Sequence, residues 1–164
     1  MEIGRIKADN IYTAAMLLDC DASGVPFLKD LAAYHTQQAL EKCLKYYLNN
    51  VYGVSKKSPE YFAHNIASLF IAMDEYDKNF IAKYRELAAM SNKISSWESM
   101  GRYSDMEIVE NNADLLQVSK VLGLTKNMYD EILESEKLNK NKVKNKAKNI
   151  KQKLKNREEK VYEK

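Results

Sequence analysis

The stretch AAYHTQQALEKCLKYYL, residues 32–48, decides the fold. It contains no glycine or proline, and it sits inside a longer run that reads as one helix from Pro26 or Phe27 to Tyr52. Pro26 suits a first-turn position, where its missing N–H costs nothing. Apolar and aromatic residues fall at Leu28, Leu31, Ala32, Ala39, Leu40, Cys43, Leu44, Tyr46, Tyr47 and Leu48. They cover more than one stripe, which predicts a helix enclosed on two sides. This is the expected central helix.

Working outward, Ala8, Ile11, Tyr12, Ala15 and Leu18 recur at helical spacing and predict a first helix over 4–20. Asp19, Asp21, Ser23, Gly24 and Pro26 punctuate the turn that follows. Residues 53–59 read as a loop, with Gly53 just past a helix end and Pro59 fixing the re-entry. Ile66, Leu69, Phe70 and Met73 form a clean stripe for a short third helix ending at 74–77. A fourth is expected over 78–97, with Phe80, Ile81, Tyr84, Leu87, Ala88, Met90 and Ile94 inside. A loop over 98–104 contains Gly101 and ends at Ser104, an N-cap candidate with Glu107 at capping-box spacing. The fifth helix uses Ile108, Ala113, Leu115, Leu116, Val118 and Leu122, with a kink expected at Gly123 before Met128, Ile132 and Leu133. The fold class is all-α, an antiparallel bundle of about five helices with a basic C-terminal helical extension.

Composition agrees. The 164 residues are 45% hydrophobic, with 5 Gly and 2 Pro, enough to bury one core and too few breakers for a loop-rich fold. No apolar run reaches membrane-spanning length, and MEIGRIKADN lacks the layout of a secretory signal, so a cytoplasmic protein away from membranes is expected. Cys20 and Cys43 lack metal-ligand spacing and read as free buried thiols. Eleven tyrosines are mostly core filler, although Tyr46, Tyr47 and Tyr52 are candidates for a homodimer seam or ligand groove.

The net charge of +3 hides an asymmetry. Of 26 Lys+Arg and 23 Asp+Glu, residues 137–164 hold 12 and 3, a local net of +9 on a body of net −6. The chain therefore divides into a bundle, 1–136, and a Lys/Asn-rich tail, 137–164, helical or partly disordered. Val143, Ala147, Ile150, Leu154 and Val161 keep heptad-like spacing in it, with Arg157 filling one gap. Two readings stand: a solvated extended helix, or a basic helix that meets a partner or a phosphate backbone through Lys144, Lys148, Lys151 and Lys155.

Three blocks in order also resemble a known family. Tyr34, His35, Gln37, Gln38, Ala39, Glu41, Lys42, Leu44 and Lys45 are similar to a helix of the HEPN family patterned Y-H-x-Q-Q-A-x-E-K-x-L-K; His64, Asn65 and Leu69 resemble its next block. Arg102, Tyr103 and Asp105 resemble its R-Y-P-D step, with Ser104 in place of proline. The resemblance runs over roughly 8–133. It implies a small helical bundle, commonly a homodimer, related to nucleotide or RNA and often paired with a small nucleotidyltransferase in toxin–antitoxin-like or defence systems.

The resemblance also implies a catalytic test. Many HEPN proteins are metal-independent ribonucleases with an arginine followed four to six residues later by a histidine. That pairing supplies a proton-transfer group near neutral pH and a guanidinium for phosphorane charge. The two histidines here, His35 and His64, follow no arginine at that spacing. His64 and Arg102 remain the candidates for an atypical site; otherwise they hold helices together. His35 is read either as a packed histidine or, with Gln38, Glu41, Lys42, Lys45, Arg102 and Tyr103, as part of a ligand-binding ridge. No transition-metal spacing and no phosphate loop occur, so no cofactor is expected. The expectation is a non-catalytic or weakly active binding or accessory protein, with an atypical ribonuclease toxin and a structural interaction module as competitors.

Overall fold

The computed structural model describes residues 3–20, 26–102 and 115–162, with side chains for 9–20, 28–98, 115–142 and 145. In chain order the helices are α1 (Ile3–Asp19), α2 (Pro26–Tyr46), α3 (Pro59–Phe62), α4 (Ile66–Tyr76), α5 (Phe80–Lys83), α6 (Arg85–Ala89), α7 (Ser91–Arg102) and α8 (Leu115–Tyr162). Among the described residues there is no strand. The chain forms two compact units, Met1–Tyr129 and Asp130–Lys164.

Helix α2 is the centre of the first unit, packing against α1, α4 and α7. Leu40, Cys43, Leu44 and Leu48 are fully buried, and Ala32, Ala33 and Ala39 with them. Ala14 of α1 is also fully buried, and such small side chains let two helix backbones approach closely. Trp97 and Ile94 of α7 and Leu69 and Met73 of α4 complete a core in which each large side chain contributes about 1.5–3 kcal/mol by leaving water. Val118, Val121, Leu122 and Met128 form the buried stripe of α8 within this unit.

After Tyr46 the central helix widens into a π turn, Tyr47–Val51, closed by the Tyr52 N–H donating to the Tyr47 carbonyl at 3.0 Å. Gly53 then takes φ +72, a left-handed conformation that glycine adopts without a Cβ penalty, and ends the helix. The expected loop ends at Pro59, which starts one helical turn, α3, that the sequence reading did not expect.

The long helix expected over 78–97 is three pieces. Tyr84, at φ −109 and ψ 36, separates α5 from α6, and Met90 separates α6 from α7. The break follows an aromatic cluster: the Tyr84 ring lies 4.7 Å from Phe80, and its hydroxyl meets that of Tyr47 at 3.0 Å. Tertiary contact wins here over helix propensity. Helix α7 instead continues through residues 98–102, expected as loop. No break occurs at Gly123, which stays in a helical conformation. Ser104, Glu107, Ile108 and Ala113 lie outside the described residues.

On α1 the buried face is Ile11, Ala14 and Leu17, while Tyr12 is 70% exposed. The face is rotated from the expected one because alanine packs where the larger tyrosine was expected to. Cys43 is a buried thiol outside any disulfide, as expected; Cys20, just past the end of α1, is exposed, against the expected burial. Tyr46 is buried, and Tyr52 stacks on Tyr76 with its hydroxyl donating to Asp77 Oδ2 at 3.1 Å, so neither is a bare surface tyrosine.

Candidate functional site

Glu41 stands in the middle of α2 between Leu40 and Cys43, and its side chain is 7% exposed. A carboxylate so placed must be given donors, because an unpaired buried charge costs several kcal/mol. Three arrive. Lys45, one turn on, donates from Nζ to Oε1 at 2.8 Å; His64 Nδ1 meets the same oxygen at 3.1 Å; Gln37, one turn back, donates from Nε2 to Oε2 at 3.2 Å. Residues 37, 41 and 45 follow i, i+4 steps and so share one face of the helix.

Gln37 is fully buried and also donates to the His64 backbone carbonyl at 3.3 Å, while its own carbonyl accepts from Gln38 Nε2 at 2.7 Å. Lys45 Nζ lies 5.6 Å from the centre of the Tyr61 ring. The loop carrying His64 is fixed from its other side too. Asn65 caps α4 by accepting from the Ser68 N–H at 3.0 Å, and Ser95 Oγ of α7 accepts from the Ile66 N–H at 2.9 Å. Helices α2, α4 and α7 thus together fix the consecutive residues His64, Asn65 and Ile66. An ionised carboxylate only accepts, so Nδ1 of His64 is the donor in this contact, and the His64 side chain is 56% exposed.

A family model for the HEPN domain matches residues 28–137, more than half of the chain. The chain belongs to the HEPN family. Comparison with curated proteins and comparison with solved structures each give no match. The matched range takes in α2 from Leu28 onward, α3 through α7 and every residue of the Glu41 network.

Within this HEPN domain the single ridge expected from sequence divides into two. Glu41 and Lys45 lie toward His64, and Gln38 is tied to them through Gln37. His35 and Lys42 lie toward α1: His35 Nδ1 meets Asn10 Oδ1 at 3.1 Å, and its ring sits edge-on to Tyr34. Burial, and secondly the Lys42 ammonium, hold the His35 imidazole below the ordinary histidine range. Burial also pulls the Lys42 ammonium down, against the opposing attraction of Glu41 and Asp9. His35 therefore joins α2 to α1 through Asn10.

Arg102 is the last residue of α7, but its side chain and all of Tyr103 lie outside the described residues. Lys144, Lys148, Lys151 and Lys155 fall on α8, whose helical backbone continues to Tyr162; their side chains also lie outside the described set. Among the described residues no group of three His, Cys, Asp or Glu is placed to hold a metal, and no helix is long and apolar enough to cross a membrane.

Sequence reasoning gave Gln37 no role, and it did not bring Glu41 to His64, 23 residues away. The available signal was a carboxylate between Leu40 and Leu44, whose burial demands partners from elsewhere in the chain.

Proposed function

We propose that this HEPN protein binds nucleotide or RNA with little or no catalysis of its own, as a homodimeric cytoplasmic accessory partner of a small nucleotidyltransferase in a toxin–antitoxin-like or defence pair. The observation that carries the reading is the occupancy of Glu41. Its charge is spent on Lys45, Gln37 and His64, so the network works first as a clamp between α2 and the start of α4. What the clamp offers outward is one oriented imidazole, a hydrogen-bonding group suited to a base edge, ribose or phosphate. Neither histidine has the arginine that the family's ribonuclease pairing requires.

A second reading, an endoribonuclease toxin with an atypical site, is favoured by one observation. An imidazole whose Nδ1–H is held by a buried carboxylate has the tautomer needed to accept a proton at Nε2, the arrangement that general-base histidines use. His64 would take the 2′-hydroxyl proton and Arg102 would supply positive charge.

One experiment separates them: incubation of the purified protein with a mixed RNA pool without divalent metal, beside His64→Ala and Arg102→Ala proteins, with binding of RNA and of a fluorescent nucleotide followed in parallel. Binding without cleavage, weakened in His64→Ala, is the expected result. Cleavage lost in both variants overturns the accessory reading.

A further inference from the structure

The second unit carries a surface that the nucleotide reading does not use. Every residue from Lys137 to Lys142, and Asn145, is exposed, including Leu138 at 61%. The backbone nevertheless remains helical to Tyr162. On a helix of 100° per residue, positions 143, 147, 150, 154 and 161 fall in one narrow strip, spaced alternately four and three residues apart once Arg157 is counted. That spacing is a coiled-coil seam.

The flanks are predominantly cationic. About a quarter turn from the strip, positions 144 and 151 on one side and 146, 153 and 160 on the other are all lysine, and 158 is the single glutamate among the flanking positions. The opposite face is mixed, with Asn145, Asn149, Gln152 and Asn156 beside Lys148, Lys155 and Glu159. In a two-stranded coiled coil the flanking positions choose the partner. A second copy meets the seam with the same lysines: a parallel pair opposes positions 146 and 151 and gains only the 153–158 pair.

We infer that the helix from Lys140 to Tyr162 is one strand of a heterotypic coiled coil, and that its partner is an acidic amphipathic helix with glutamate or aspartate flanking its own apolar seam. Positions 143–161 span about 28 Å at 1.5 Å per residue, close to three heptads. The seam contains Ala147 and Arg157, so it is weak alone and draws its selectivity from the lysine rows. Anionic membrane suits it less well, since the strip is narrow and holds no bulky aromatic residue. Phosphate backbone attracts lysine on any face and gives no account of the heptad strip.

The test uses the full-length protein and a synthetic three-heptad peptide with leucine in its seam and glutamate on its flanks, read by fluorescence anisotropy at physiological salt. A scrambled peptide of the same composition, a single-stranded RNA and phosphatidylserine vesicles are run beside it. The expected result is binding of the heptad peptide, at least about tenfold weaker for the scrambled peptide and for an Ile150→Asp, Leu154→Asp protein. Reversing Lys144, Lys146, Lys151 and Lys153 to glutamate should transfer binding to a peptide with lysine flanks. Circular dichroism of each variant separates loss of the seam from loss of the helix. Equal binding of the scrambled peptide, or RNA or vesicle binding that depends on Ile150 and Leu154 while the heptad peptide fails, overturns the inference.

Discussion

The side-chain amide of Gln37 holds the backbone carbonyl of His64 at 3.3 Å, so α2 grips the loop before α4 through its main chain as well as through the imidazole. Because Gln37 also serves Glu41, replacing it by leucine orphans a carboxylate oxygen and a carbonyl together. Gln37→Leu should lose about 1–3 kcal/mol of stability in urea denaturation.

Glu41 and Lys45 should prove strongly coupled. Glu41→Ala leaves Lys45, 14% exposed, without its counter-charge, and should cost about 3–5 kcal/mol. A double-mutant cycle with Lys45→Met should return a coupling of about 1–3 kcal/mol. A coupling near zero would mean that the pair is held by its surroundings rather than by its charges.

His35 gives the domain an acid-sensitive joint. Its folded pKa is depressed below the ordinary value of about 6.5, so above that value both folded and unfolded chains carry a neutral ring and its contribution is fully present. As pH falls through the depressed folded value the unfolded chain binds the proton more readily, and stability is lost. His35→Gln should flatten the stability profile below about pH 6.5. Proton-coupled NMR of the imidazole provides the direct check.

Tyr52 predicts the opposite limb. Burial first, and then its bond to Asp77, push its phenol up to about 12. A raised folded value gives stability that is present below the ordinary tyrosine range near 10 and lost as pH climbs toward 12. Tyr52→Phe should cost about 1 kcal/mol at neutral pH and remove the late phenolate absorbance step in an alkaline titration.

Gly123 lies inside α8, and a Cβ built on it meets nothing within 4 Å. Gly123→Ala should therefore stabilise the protein by about 0.5–1 kcal/mol, read as a rise in Tm.

The contrast between two helices explains how much was legible in the sequence. Ile66, Leu69, Phe70 and Met73 are all buried, as their spacing dictates, because α4 meets the core with one uninterrupted stripe. The 78–97 segment has an equally helical composition, but Tyr47 and Phe80 draw Tyr84 out of the helical run, a decision made by residues 37 and 4 positions away. Helix α1 was turned the wrong way for a related reason: an alanine gives a weak pattern signal and packs well. The site was half readable. Glu41, Lys45 and His64 were each singled out, yet nothing in their spacing tells which ring reaches which carboxylate.

The π turn at Tyr47–Val51 has a consequence for chain length. It takes one residue more than an α turn, so the central helix stores a residue without displacing the glycine that ends it or the buried Leu48 within it. A relative lacking one residue here can close the same turn as ordinary α-helix and keep both ends in place. Single-residue insertions and deletions across this family should collect at that turn, where the fold already has the slack to absorb them.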